Sequence, residues 1–245
     1  MMPSYLRIEA LRMLRNKRYI IFVVAFPVVF YLLFSNVWGS QTNASGVKAT
    51  VFLMVSMGAY GALAASIMST AVPWAQERES GWLRQLQITP LSNRSIILTK
   101  LVAALLLVLP ALLLVFLCGI VTQGVSLSPG QWFSLALSMW IGTVPFAALG
   151  LAVGSLVPPD TAQPIAMIGM FGLAILGGLW FPLDSMPETM RSIAHVLPSY
   201  SYVDIGWNLV AGTTPPPQDV VTILAWAVAL GTAAVLAYRR ATARA

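Results

Sequence analysis

Apolar residues in this chain come in long unbroken runs, not in the short periodic clusters of a soluble fold. Six runs, at roughly 20–38, 49–73, 101–122, 131–157, 163–183 and 218–238, each come near the ~20 residues a helix needs to cross a bilayer core. None has an Asp, Glu, Lys, Arg or His in its middle. Pro27, Pro110, Pro145 and Pro164 fall inside these runs, where neighbouring membrane helices tolerate them as kinks. The pattern predicts an all-α fold. It is a polytopic membrane protein of six transmembrane helices, read as one domain over residues 1–245, with spans 1–5 inside 20–183 and the sixth at 218–238.

The polar segments between the runs have patterns of their own. In residues 1–19, Arg7, Arg12, Arg15, Lys17 and Arg18 face a single acid, Glu9, while Leu6, Ala10, Met13 and Leu14 recur at helical spacing. This predicts a basic amphipathic helix on the cytoplasmic membrane face. The rival is a signal peptide with 20–34 as its apolar region, but no good A-x-A site follows and five further spans need a first to orient them. Between spans 2 and 3, QERESGWLRQLQITPLS (76–92) predicts a short amphipathic helix. Trp82, Leu83 and Leu86 share one side, and Glu77, Glu79 and Arg84 lie largely off it. Thr89-Pro90 ends it, since the residue before proline is pushed out of the α region. Such a helix either docks a soluble partner or is an interfacial connector.

Segment 184–217 predicts two further short helices. Pro187 to Leu197 carries Met190, Ile193, Ala194 and Leu197 on one side; Pro198 interrupts, and 199–211 carries Tyr200, Val203, Trp207 and Val210, with Gly212 as the stop. Arg191, His195 and Asp204 make this a poor span, and a seventh crossing would put Arg239, Arg240 and Arg244 outside. The expectation is a re-entrant pair that dips into the outer leaflet.

Composition agrees with the runs. Of 245 residues 58% are hydrophobic and 9% charged, against about a quarter charged in a soluble domain. The net charge of +6 would suit nucleic acid in a soluble chain, yet 12 of the 14 basic residues lie in the termini, 74–100 and 158–162. By the positive-inside rule both termini are cytoplasmic, and no nucleic-acid partner is needed to explain the charge. Cys118 is alone, so there is no intramolecular disulfide. Arginine outnumbers lysine 11 to 3 and alanine is abundant, a composition that leans toward a high-GC bacterium.

Candidate chemistry is sparse. Small residues form stripes at intervals of four: Gly58, Ala62, Ser66 and Thr70 on the second span, Gly150 and Gly154 on the fourth, and Ala225, Ala229, Ala233 and Ala237 on the sixth. Stripes of this kind let membrane helices approach closely within one bundle. Alternatively, the second-span stripe with Ser56 and Tyr60 borders a path between two subunits. His195 has no second His or Cys beside it, which suits a surface histidine better than a metal ligand. Asp160 reads as a turn residue capping the fifth span. Trp38, Trp74, Trp132 and Trp180 sit near span ends, as in an aromatic belt. Asn43-Ala44-Ser45 matches a glycosylation sequon. The chain has no G-x-x-x-x-G-K-[ST], no paired intramembrane carboxylates, no metal-ligand spacing and no ionisable group within a span to couple an ion gradient. Its energy must therefore come from another polypeptide.

Glu77-Arg78-Glu79, Gly81, Leu83, Gln85-Leu86 and Thr89-Pro90 together resemble the cytosolic loop after the second span in permeases of the ABC type-2 exporter family. GGLWFPLDSMP followed by LPSYSY resembles the segment before that family's last span. Trp82 stands where the family commonly has Thr, and Arg84 where it often has an acid. The resemblance implies six spans, a re-entrant pair and a coupling helix formed by Glu77, Arg78, Glu79, Gly81, Trp82, Leu83, Arg84, Leu86 and Pro90. It further implies two copies of a separate ABC ATPase subunit, which would hold ATP and Mg, and no cofactor in this chain. A second permease copy or a paralogue would complete a path bordered by Ser56, Gly58, Tyr60, Ala62, Ser66 and Thr70. The implied activity is export of an apolar or amphipathic cargo, such as a drug, antibiotic or lipid-like molecule; the alternative is a membrane anchor or sensor that binds an ATPase and moves nothing. An intramembrane enzyme would need a polar constellation that the sequence does not offer.

Overall fold

The computed structural model describes residues 20–39, 41–42, 47–82, 85, 93–181, 183 and 186–243. The predicted helix over 1–19 and the sequon at Asn43 lie outside these residues, as do Leu83, Arg84, Leu86 and Pro90. Among the described residues the regular structure is helical, apart from an isolated bridge between Thr42 and Lys48. A π-helical turn, Ile20–Ala25, leads into α1 (Phe26–Trp38). Then follow α2 (Ala49–Glu79), α3 (Asn93–Gln123), α4 (Pro129–Ile141), α5 (Val144–Leu156) and α6 (Pro159–Leu176). The last three are α7 (Glu188–Ala194), α8 (Pro198–Ala211) and α9 (Pro217–Ala243).

Among the described residues, four stretches are long and apolar enough to cross a membrane: Ala49–Glu79, Ser95–Gln123, Pro129–Leu156 and Pro217–Tyr238. Val23–Trp38 is a shorter apolar helix, and α6 has 18 residues. The fourth of the six sequence runs is two helices in line, α4 and α5, joined at Gly142–Thr143. Pro145 lacks the N–H that a continuous helix would use, and instead occupies the first turn of α5, where no donor is missed. The kink expected at Pro145 therefore sits just before it.

α2 is the hub. It packs on α1, α3, α5 and α6, and 78% of its apolar window is buried, against 11% for the peripheral α9. Lipid is as apolar as the side chains it would replace, so helices here gain little from hydrophobic burial and associate through close packing. The stripes make that possible. A Cβ on Gly150 would fall on the Thr70 hydroxyl and the Ile67 carbonyl, and one on Gly154 would fall on the Ala71 carbonyl. Only a bare α-carbon lets α5 come this close to the α2 backbone. On the periphery, Leu113, Leu117 and Val121 of α3 and Val221, Leu224 and Val228 of α9 are exposed, as lipid-facing positions should be.

Of the two short helices between the last apolar runs, α8 keeps its expected limits, while α7 ends at Ala194, three residues before the expected Leu197. α7 stops before Pro198, α8 starts at it, and Gly212 takes the left-handed conformation (φ 74°) that closes α8. α8 is fastened to the bundle by Tyr202 Oη, which donates to the Met139 carbonyl (2.6 Å), and by Trp207 Nε1, which donates to Ser56 Oγ (3.2 Å). Asp160 does not cap α6: Pro158 holds the N-cap position, and Asp160 lies exposed in the first turn, where its charge still suits the helix dipole.

Gly154→Val should push α5 off α2 and cost about 1–3 kcal/mol, the usual penalty of overpacking. Gly172→Ala, at a position whose added methyl would meet nothing, should leave stability unchanged. Melting curves of the two purified variants in one detergent check the contrast.

Candidate functional site

The polar turn Gln76–Glu79 was expected to belong to a separate amphipathic helix. It is instead the end of α2, which runs on past its apolar window without a break. At 31 residues α2 is about 46 Å long, against a hydrocarbon core of ~30 Å. Pro73 lies inside the helix without ending it, and nothing in WAQERE stops a helix; Ser80 and Gly81 do. Gly81 is left-handed (φ 73°) with open space where a Cβ would be, and the chain resumes helical geometry at Trp82 and Gln85.

This end of α2 is tied down on three sides. Glu77 and Lys100 are 3% and 2% exposed, and Lys100 Nζ lies 2.6 Å from Glu77 Oε1, joining α2 to α3. Arg78 Nη2 donates to the Val157 carbonyl (2.7 Å) and Nη1 to the Ser155 carbonyl, so the guanidinium satisfies carbonyls that the C-terminus of α5 leaves without helical partners. One turn back, Trp74 Nε1 donates to Ser155 Oγ (2.7 Å), and its ring lies 5.6 Å from that of Tyr238 on α9. Trp74, Ile96, Leu151, Ala152, Ala234 and Tyr238 form a second small core around these bonds. Trp74 is thus an interior residue at 1% exposure, not a member of an aromatic belt, because its N–H has a buried partner.

Beside the joint, Gln76, Glu77, Ser80 and Trp82 line a cavity of about 360 Å³. Glu79 and Gln85 are exposed and Trp82 is 42% exposed. Of the expected coupling residues, then, Glu77 and Arg78 point into the bundle, while Glu79, Gly81 and Trp82 face outward. Sequence reasoning missed Lys100, Ser155 and Tyr238. A signal existed for the first. Lys100 lies one turn from both Ile96 and Ala104, which are buried, and a charge on a buried face demands a partner. Glu77 likewise falls seven residues after Thr70, on the continuation of the small-residue stripe.

The expected path residues are all interior. Ser56, Gly58, Tyr60, Ala62, Ser66 and Thr70 are buried by the chain's own helices. Tyr60 belongs to an aromatic cluster with Phe26, Phe171 and Trp180, with ring separations of 5.3–6.4 Å. Thr70 Oγ1 donates back to the Ser66 carbonyl (2.8 Å). A path bordered by these six requires the helices around α2 to part.

At the opposite end of the bundle Asp204 of α8 bonds to Asp219, which is buried in the first turn of α9. Burial, then the charge of Asp219 and the bond to it, push the Asp204 carboxyl up to about 6, against hydrogen bonds from Asn208 and Tyr200 that lower it. His195 packs edge-on against Tyr200 at 4.7 Å and is exposed.

A bundle of long apolar helices, whose central helix projects beyond its apolar part into a braced polar end, is the architecture of a polytopic membrane protein. Residues 43–238 match the sequence model of the family described as "ABC-2 family transporter protein", and the chain belongs to that family. It is 31% identical over 219 residues to the Bacillus subtilis (strain 168) protein named "Putative transport permease YvfS", covering 89% of each chain. It is 27% identical over 161 residues to the Escherichia coli (strain K12) protein named "Probable multidrug ABC transporter permease YbhS", covering 63% of this chain and 41% of that one. A 28% identity over 140 residues relates it to "Probable multidrug ABC transporter permease YbhR" of the same strain, covering 56% and 37%.

Lys100→Met alone leaves the Glu77 carboxylate buried without its cation and should cost about 3–5 kcal/mol, whereas Glu79→Gln on the surface should change stability by less than ~0.5 kcal/mol. Denaturation of the two variants in one detergent tests this. The raised Asp204 carboxyl holds its proton more tightly in the folded than in the unfolded chain. Its stabilisation is therefore complete below the ordinary value of 3.8 and is lost as pH rises through about 6. Between those values Asp204→Asn should flatten the fall in melting temperature that the unaltered protein shows.

Proposed function

We propose that this chain is the membrane-spanning permease subunit of an ATP-driven exporter that moves an apolar or amphipathic cargo, of drug, antibiotic or lipid-like character, out of the cell. In this reading α1, α2, α3, the α4–α5 pair, α6 and α9 are its six spans, α7 and α8 are the re-entrant pair, and both termini are cytoplasmic. Two copies of an ABC ATPase carry ATP and Mg, and a second permease copy or a paralogue completes the path. The names of the Escherichia coli relatives support the cargo class.

The observation that carries the reading is the continuity of α2. One continuous helix, with Pro73 inside it, connects exposed Glu79 to residues buried at the centre of the bundle, so a displacement at its polar end has a direct path to the packed core. Glu79, Gly81 and Trp82 form the surface an ATPase would push; Leu83, Arg84, Leu86 and Pro90 continue it in sequence. Arg78 and Glu77 act behind that surface by bracing α2 against α5 and α3. Bundle opening around Ser56, Gly58, Tyr60, Ala62, Ser66 and Thr70 would then admit cargo.

Glu79→Lys inverts a charge on the contact surface. Gly81→Pro imposes a φ near −65° where the turn needs +73°. Each should abolish ATP-dependent export while leaving the protein in the membrane, as judged by transport into inside-out vesicles containing the ATPase. Normal export by both variants would make the loop a connector only. If no candidate cargo alters ATP hydrolysis or accumulates in vesicles, the non-transporting anchor is the correct reading.

A further inference from the structure

A buried ion pair is a costly way to join two helices. Removing two charges from water carries a desolvation penalty that the mutual attraction barely repays, and apolar replacements of similar volume often match or exceed its stability. Yet α2 and α3 are joined at the polar end of the bundle by Glu77 and Lys100, 2.6 Å apart, although Ile96, Leu151 and Ala152 nearby make an apolar contact feasible. What an apolar contact lacks is direction: methyl groups slide, whereas a charged hydrogen bond fixes one register.

The two partners are 23 residues apart, and between them lies the whole segment that carries Glu79, Gly81 and Trp82. The bond between them therefore ties together the two membrane-proximal ends of that segment. On the α2 side the restraint continues through Arg78 to the carbonyls of Ser155 and Val157 and through Trp74 to Ser155 Oγ. On the α3 side Thr99, the neighbour of Lys100, donates to its own helix (Ser95 carbonyl, 2.7 Å). Ile96 of α3 also packs in one core with Trp74 of α2, but Lys100 adds a charged, directional bond through which a movement of α2 at this end is handed to α3 as a fixed displacement.

We propose that Glu77 and Lys100 are positioning residues for coupling: their bond makes α2 and α3 move as one when the segment between them is displaced. The inference rests on the reading of the protein as an ATP-driven permease, and it assigns to α3 a share of the motion otherwise given to α2 alone.

The test uses the full chain in nanodiscs with its ABC ATPase, by hydrogen–deuterium exchange with and without ATP and vanadate. In the unaltered complex, trapping the nucleotide should change exchange in peptides from both the end of α2 (around 70–80) and the start of α3 (around 95–105). Glu77→Met/Lys100→Met should keep the melting temperature and lose the change in the α3 peptide while retaining that in α2. The charge-exchanged Glu77→Lys/Lys100→Glu should restore it. If the methionine pair transmits the change to both peptides as the unaltered protein does, the bond has no role in coupling and the proposal falls. If both double variants instead melt far below the unaltered protein, the pair is a structural brace alone, which also overturns it. If trapping changes neither peptide in the unaltered complex, the ATP-driven reading itself fails.

Discussion

Helices in lipid gain little by hiding apolar surface from one another, so a bundle holds only where backbones come close enough for many weak contacts. In this protein that condition is met along α2. Gly150 and Gly154 of α5 lie where any side chain would strike Ile67, Thr70 or Ala71, and the surrounding helices depend on α2 staying where that contact puts it. Tyr60, Ser56 and Thr70 are enclosed for the same reason: residues that a transporter could use to meet cargo are, in this conformation, used to pack it.

The close packing ends near Trp74, and the bonding changes character there. Beyond it, α2 is held by charge and hydrogen bonds: Glu77 to Lys100, Arg78 to the last carbonyls of α5, Trp74 to Ser155. Directional bonds suit the end of a lever, because they resist sliding as well as separation. A helix gripped this way is braced where it leaves the bundle, and its exposed tip at Glu79 and its core at Tyr60 belong to one continuous helix, with Pro73 between them. In the proposed function, such a helix is the route by which an ATPase outside the bilayer would act on the interior.

Much of this was legible in the sequence. The start of α7 and both limits of α8 followed from Pro187, Pro198 and Gly212, because proline and glycine impose backbone angles whatever surrounds them; the end of α7 at Ala194 did not. The all-helical character followed from the length of the apolar runs. The joint at the polar end did not emerge, since its chemistry depends on partners far apart in sequence. Gln76–Glu79 has the polarity of a loop, but polarity does not stop a helix. Glu77 looked solvated because it was judged among its polar neighbours in sequence, Lys100 drew no reading of its own, and Trp74 looked interfacial because it stands near the end of an apolar run. Only the packing of α5 and α9 against α2 turns these into interior residues. The break at Gly142–Thr143 was displaced for a simpler reason: a proline early in a new helix disrupts nothing, so Pro145 starts α5 and the turn falls before it.

The account stands on contact between the outward-facing tip of α2 and a soluble ATPase. A photo-crosslinking amino acid in place of half-exposed Trp82 reads that contact directly in cells that also express the ATPase. The account predicts an adduct between the two polypeptides whose yield changes when ATP is depleted. Adducts with lipid or with the permease alone, and none with the ATPase, would contradict it.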